Sequence, residues 1–287
     1  MKSSYTVYFI LVLTFKTGFI YSQADPSFSV KWENLPWASG GEIPAGPPWS
    51  MVGPYDFDGD NFGDFIVSSA YAGAYCNGVY HYEAAANDSI DLRWVYTFYE
   101  LNCADDAYSS VAVGDIDGDG NQEILALVDT SPGVIGQDAL QIFEWNPDSM
   151  SFLSEPTYTW DMGLEAVWEA GQILVEDVDG DGNQEIIVSI MNGPSWADMS
   201  TGGSSQLIIF EFQSATDGQA LFNIEYEDNI WTNWSGYNIS TGDLDGDGFI
   251  EIYTVAYEYY HLIIYENTGE DSYDYQTDFY ISSEQYQ

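Results

Sequence analysis

Aspartate recurs at alternate positions in four nine-residue stretches of the chain. They read Asp56-Phe-Asp-Gly-Asp-Asn-Phe-Gly-Asp64, Asp115-Ile-Asp-Gly-Asp-Gly-Asn-Gln-Glu123, Asp177-Val-Asp-Gly-Asp-Gly-Asn-Gln-Glu185 and Asp243-Leu-Asp-Gly-Asp-Gly-Phe-Ile-Glu251. Carboxylates stand at positions 1, 3, 5 and 9 of each: Asp56, Asp58, Asp60, Asp64; Asp115, Asp117, Asp119, Glu123; Asp177, Asp179, Asp181, Glu185; Asp243, Asp245, Asp247, Glu251. Alternate acids on a glycine-bent loop converge several hard oxygens on one point. Ca²⁺ asks for this, since it takes six to eight oxygens at about 2.3–2.6 Å in an irregular shell. Up to four Ca²⁺ are therefore expected. The competing EF-hand reading needs a bidentate Glu at position 12, which holds Val67, Ala126, Val188 and Thr254. Acidic turns without metal are the other alternative, and they leave like charges crowded and uncompensated.

The elements that hold these loops repeat with them. First aspartates are 59, 62 and 66 positions apart, so the chain reads as a repeat protein. A short apolar run precedes each loop (residues 50–53, 111–114, 173–176 and 237–242), and another follows it (65–69, 124–128, 186–190 and 252–256). These runs show little alternation, which suits strands buried on both faces. Two more strand-like runs complete each unit: 79–83 with 92–99, 140–145 with 152–160, 206–212 with 221–226, and 261–265 with 273–280. Four antiparallel strands per unit predict an all-β protein, a β-propeller of four-stranded blades at about 48–108, 109–170, 171–236 and 237–287 within a region 25–287. A further strand-like piece, Phe28 to Leu35, precedes the first unit. Two closures stay open, a small ring of four or five blades or the front part of a larger one, and the second is the expectation.

Residues 1–24 read as a secretory signal: Lys2, an apolar stretch from Tyr5 to Phe15, and Ser22-Gln-Ala24 as a small-x-small cleavage site. A short membrane anchor is the rival, but Lys16 ends the apolar run well short of the roughly 20 residues a span needs. The formal charge is −43, and it becomes −45 once Lys2 and Lys16 leave with the signal. Nucleic acid and anionic membrane are excluded as direct partners, because phosphate neutralisation needs clustered Lys and Arg. A secreted protein can keep a disulfide. Cys76 and Cys103 flank a hairpin that turns near Asn87-Asp-Ser, so the thiols are placed to meet at its open end. A disulfide is the expectation, and two buried free thiols the alternative.

Catalytic patterns are sparse. His81 and His261 sit among aromatics in third strands at different offsets from their loops, which reads as structural. No Gly-x-Ser-x-Gly, His-Glu-x-x-His or P-loop sequence occurs. The chain holds 10 Trp, 23 Tyr and 15 Phe, and Trp49, Tyr108, Trp168 and Trp234 stand seven or nine residues ahead of the loops. They suit packing between units, or a ring of platforms for stacking on sugars.

At the loops the chain resembles the FG-GAP (VCBS-like) repeats, the calcium-loop propellers of integrin α-chains and many secreted bacterial proteins; residues 108–127 match best. The resemblance implies Ca²⁺ ligands at positions 1, 3, 5 and 9, with the position-7 carbonyls of Phe62, Asn121, Asn183 and Phe249. Three departures stand out. Position 9 is Glu in three loops where the family has Asp, Asn61 replaces a Gly, and the literal Phe-Gly and Gly-Ala-Pro signatures are missing. Two function classes follow: a secreted, non-catalytic adhesion or binding module for an extracellular protein or glycan, or a carbohydrate-active enzyme of the polysaccharide lyase kind. The scarcity of Lys, Arg and His favours the first.

Overall fold

A computed structural model describes residues 48–69, 78–86, 89–98, 109–128, 139–160, 162, 167–192, 204–230, 235–256 and 261–280. The signal segment, the piece 28–35, Cys76, Cys103, Tyr108 and Trp234 lie outside the described residues, as do the side chains of Trp168 and His261. Among the described residues the protein is all-β and has no helix.

Its strands are β1 (Pro48–Tyr55), β2 (Asp64–Ser69), β3 (Gly78–Ala86), β4 (Ser89–Thr97), β5 (Ser109–Gly114), β6 (Glu123–Val128), β7 (Leu140–Asn146), β8 (Ser151–Phe152) and β9 (Tyr158–Trp160). They continue as β10 (Val167–Glu176), β11 (Glu185–Asn192), β12 (Ser204–Thr216), β13 (Gln219–Ile230), β14 (Ser235–Gly242), β15 (Glu251–Ala256), β16 (His261–Gly269) and β17 (Ser272–Tyr280). β1 to β4 form one antiparallel meander and β14 to β17 another. Between them a larger sheet runs in the order β10-β11-β12-β13-β9-β7-β6-β5. It nearly closes on itself, barrel-like, because β5 packs along β10.

Two details depart from the sequence reading. The run 152–160 is not one strand. β8 pairs with the end of β7 (Trp145 opposite Phe152) and β9 with its start (Leu140 opposite Trp160). Pro156, between them, has no N–H to offer a ladder. The pairing is also not wholly antiparallel, since β13 meets β9 in parallel at Gln219 and Thr159. β13 reaches that point because β12 and β13 extend to 13 and 12 residues around Asp217-Gly218. Both turn residues have positive φ (53° and 80°), the requirement of a two-residue hairpin that matches strand twist.

Burial on both faces holds for the strands after the second and third loops. Along β6, Ile124, Ala126 and Val128 enter a cluster with Ile66, Val79 and Trp94, whereas Leu125 and Leu127 enter one with Ile173, Ile186 and Phe210. The two-residue period of a strand sends alternate side chains to opposite faces, and here both faces are covered. A third cluster joins Ile187, Leu207 and Ile209 to Ile252, Ile263 and Tyr265. These clusters sit at three successive junctions, and none of them joins β1–β4 to β14–β17.

Position 2 of each acidic loop reports on the same stacking. Phe57 packs on Trp145 of β7 and Phe152 of β8, at ring centroid distances of 5.4 and 5.0 Å. Ile116 and Val178 are buried, at 4% and 2% exposure, in the second and third junctions. Leu244, the fourth equivalent, is 58% exposed. Ile116→Ala is expected to cost about 2–4 kcal/mol through lost burial and a cavity. Leu244→Ala should stay within about 0.5 kcal/mol. Equal losses in urea unfolding would contradict this assignment.

Candidate metal centre

Each acidic loop links two antiparallel strands (β1–β2, β5–β6, β10–β11, β14–β15) and folds the same way. At position 4, Gly59, Gly118, Gly180 and Gly246 have φ between 71° and 85°. At position 6, Gly120, Gly182 and Gly248 have φ of 94° to 103°, and Asn61 takes φ 70°. The left-handed conformation excludes most side chains, and Asn is one of the few tolerated substitutes for Gly there. Asn61 therefore keeps the loop geometry.

The acids first organise the loop's own backbone. The position-5 N–H donates to the position-3 carboxylate in all four loops: Asp60 to Asp58 (3.1 Å), Asp119 to Asp117 (3.2 Å), Asp181 to Asp179 (3.1 Å) and Asp247 to Asp245 (3.1 Å). The position-7 N–H of Phe62, Asn121, Asn183 and Phe249 donates to the position-5 carboxylate at 2.7 to 2.9 Å. Such short-range bonds from Asp side chains replace the ladder where the strand breaks off.

Position 9 is the exception in burial. Asp64, Glu123, Glu185 and Glu251 are each 0–1% exposed, while the acids at positions 1, 3 and 5 are partly or fully exposed. One oxygen accepts the position-2 N–H: Phe57 to Asp64 (2.8 Å), Ile116 to Glu123 (2.9 Å), Val178 to Glu185 (2.6 Å) and Leu244 to Glu251. The other oxygen, Oε1, has no hydrogen-bond partner among the described residues in Glu123, Glu185 and Glu251. A buried carboxylate oxygen without a donor is costly, so these three atoms call for a cation or a proton.

The structure brings most of the sequence-identified acids together. Carboxylate oxygens lie within 4.8 Å of one another in Asp243, Asp245, Asp247 and Glu251, in Asp56, Asp58 and Asp60, in Asp115, Asp117 and Asp119, and in Asp177, Asp179 and Glu185. A further group, Asp119, Glu123 and Glu144, includes a residue that sequence reasoning missed. Glu144 lies on β7, directly across the ladder from Glu123. The same register sets Glu83 opposite Asp64 and Glu211 opposite Glu185, and Glu266 follows one step beyond the Ile252–Tyr265 pair, opposite Glu251. Every unit thus carries a fifth acid beside its loop. Of the aromatics, half-buried Trp49 stands near the start of β1, as Trp168 does in β10, at the strand ends away from the loops.

Electrostatics follow from this crowding of acids at the second and third loops. Burial, with Glu144, Asp117 and Asp115 nearby, pushes the Glu123 carboxyl up to about 9. Burial and then Asp179 and Asp177 push Glu185 up to about 8, and burial with Asp119 and Asp117 pushes Glu144 up to about 7. Glu225, buried beside Glu185 and Asp271, also rises to about 8. Desolvation penalises the charged form and neighbouring anions add to it.

The donor set consists of hard oxygens, which fits a hard cation such as Ca²⁺ or Mg²⁺ better than a soft one. The orphaned Glu oxygens supply the test of fit from the protein side. Comparison with protein-family models and with curated proteins returns no match.

Proposed function

We propose that this protein is a secreted calcium-binding repeat protein, a β-propeller of four-stranded blades resembling FG-GAP repeats, that acts as a non-catalytic binding module. One observation carries the calcium reading: fully buried Glu123, Glu185 and Glu251 each keep an oxygen that has no partner among the described residues, beside an aspartate cluster. Bound Ca²⁺ would supply positive charge that cross-links each loop to the strand following it. The chain's own residues do the rest. Positions 1, 3 and 5 present carboxylates from a loop preset by left-handed Gly and Asn residues, and position 9 anchors the ion to the core.

Units stacked through alternating faces of β6, β11 and β12 support the propeller reading. The binding-module reading draws on the engaged state of the described basic groups. His81 is buried against Asp64, and Arg93 holds Glu83 in a bidentate pair. A protein or glycan ligand is expected at the strand ends that carry Trp49 and Trp168, away from the loops.

Calorimetric titration tests the first part. Asp117→Ala should lower the number of bound Ca²⁺ by about one, and unchanged stoichiometry would overturn coordination at that loop. A glycan-array screen run beside an absorbance assay for unsaturated sugar products tests the second. Binding without turnover supports the module, and turnover overturns it.

A further inference from the structure

The four loops share a backbone but not a charge balance, and the difference lies in the strand beside them. At the first loop both oxygens of Asp64 already hold protein donors. Oδ2 accepts the Phe57 N–H at 2.8 Å, and Oδ1 is 2.7 Å from Nε2 of His81. His81 is 1% exposed and enclosed by Phe57, Trp145 and Phe152. The ladder puts His81 opposite Ile66, two residues past the loop end; the equivalent places opposite Leu125, Ile187 and Tyr253 hold Ile142, Ile209 and Ile264. The histidine therefore occurs only at the loop whose position 9 is the shorter Asp.

The fifth acid follows the same division. Glu83, 4% exposed, receives Arg93 through Nε at 3.1 Å and Nη2 at 2.5 Å, a bidentate pair that fixes a positive charge beside the first loop. Glu144 has no such partner among the described residues and carries an oxygen within 4.8 Å of ones from Asp119 and Glu123. Glu211 accepts the neutral side-chain amide of Asn183 at 3.2 Å. Glu266 faces the fourth loop from β16.

From this geometry we infer that the loops form two classes: the second, third and fourth are strong cation sites completed by a third-strand glutamate (Glu144, Glu211, Glu266), whereas the first is closed by the protein's own Arg93 and His81. The inference rests on the calcium reading above and says which loops use it. The orphaned oxygens of Glu123, Glu185 and Glu251 divide the loops in the same way, because the matching oxygen of Asp64 is satisfied. A fixed guanidinium near the first loop also opposes entry of a divalent cation by like-charge repulsion.

Titration of the metal-stripped mature protein with Ca²⁺, and with Tb³⁺ read by luminescence sensitised by its aromatics, separates the possibilities. Three tight ions are expected in the parent protein, with any fourth at least tenfold weaker. Glu144→Gln should weaken one tight site about tenfold or more and leave two unchanged; Glu266→Gln, at a half-buried position, provides the same readout if the first variant fails to fold. Asp58→Ala should leave the three tight sites intact, and Asp64→Glu combined with His81→Ile and Arg93→Gln should add a fourth. Four equal tight ions in the parent, or Glu→Gln variants with unaltered affinities, would overturn the division while leaving the calcium reading in place. No bound ion at all would overturn both.

Discussion

Stripping the metal with EDTA is expected to lower the thermal midpoint by about 15–30 °C. A site that binds only the folded state contributes roughly 2.7 kcal/mol at a hundredfold excess of ligand over Kd, so three sites contribute about 8 kcal/mol. A domain of this size loses roughly 2–4 °C of midpoint for each kcal/mol. Ca²⁺ should restore the midpoint, and equimolar Mg²⁺ should do so poorly, because Mg²⁺ holds its water and demands an octahedron. The loss should concentrate at the position-9 glutamates, whose second oxygens are left uncompensated. Differential scanning calorimetry with and without chelator decides it: an unchanged midpoint would sink the calcium reading.

The second large effect is a pH dependence that exists only without metal. In the metal-free protein Glu123 titrates at about 9 and Glu185 at about 8, against an ordinary value of 4.5. A folded-state value above the unfolded one means that folding favours the protonated form. These groups contribute their full stability below pH about 4.5, and the contribution disappears as pH rises through about 8 to 9. In chelator, stability should therefore fall by several kcal/mol between pH 5 and pH 9. With Ca²⁺ bound the same interval should be nearly flat, and binding at pH 7 should release protons. Urea midpoints measured across that interval check the sign. A chelated protein that gains stability towards pH 9 would contradict the burial of these carboxylates.

The loops were legible in the sequence because every determinant is local: alternating acids, glycines at the left-handed positions and apolar runs on either side. Two-face burial of β6 and β11 was legible for the same reason. The third-strand glutamates were not. Glu83, Glu144, Glu211 and Glu266 lie 19, 21, 26 and 15 residues beyond their position-9 partners, so no spacing pattern reveals them. Cross-strand register alone lines them up. The pairing of His81 with Asp64 was hidden likewise, since it depends on which residue of β3 falls beside β2. The division of the run 152–160 had a local signal in Pro156, and the extension of β12 and β13 had one in Asp217-Gly218; periodicity of apolar residues registers neither.

Chain length behaves differently at the two ends of the sheets. The connections through the acidic loops (β1–β2, β5–β6, β10–β11 and β14–β15) are eight residues long in every case. Those at the other end (β2–β3, β6–β7, β11–β12 and β15–β16) run to 8, 11, 11 and 4 residues. Backbone closed around a shared ligand point tolerates no insertion, whereas a connection outside that constraint adds length at an entropic cost that grows only logarithmically. The molecule is therefore polar in its capacity to change. One pole is held to a single loop length by its acids and left-handed glycines, and the other, where Trp49 and Trp168 stand, varies in length from unit to unit. Grafting and diversification belong at that second pole.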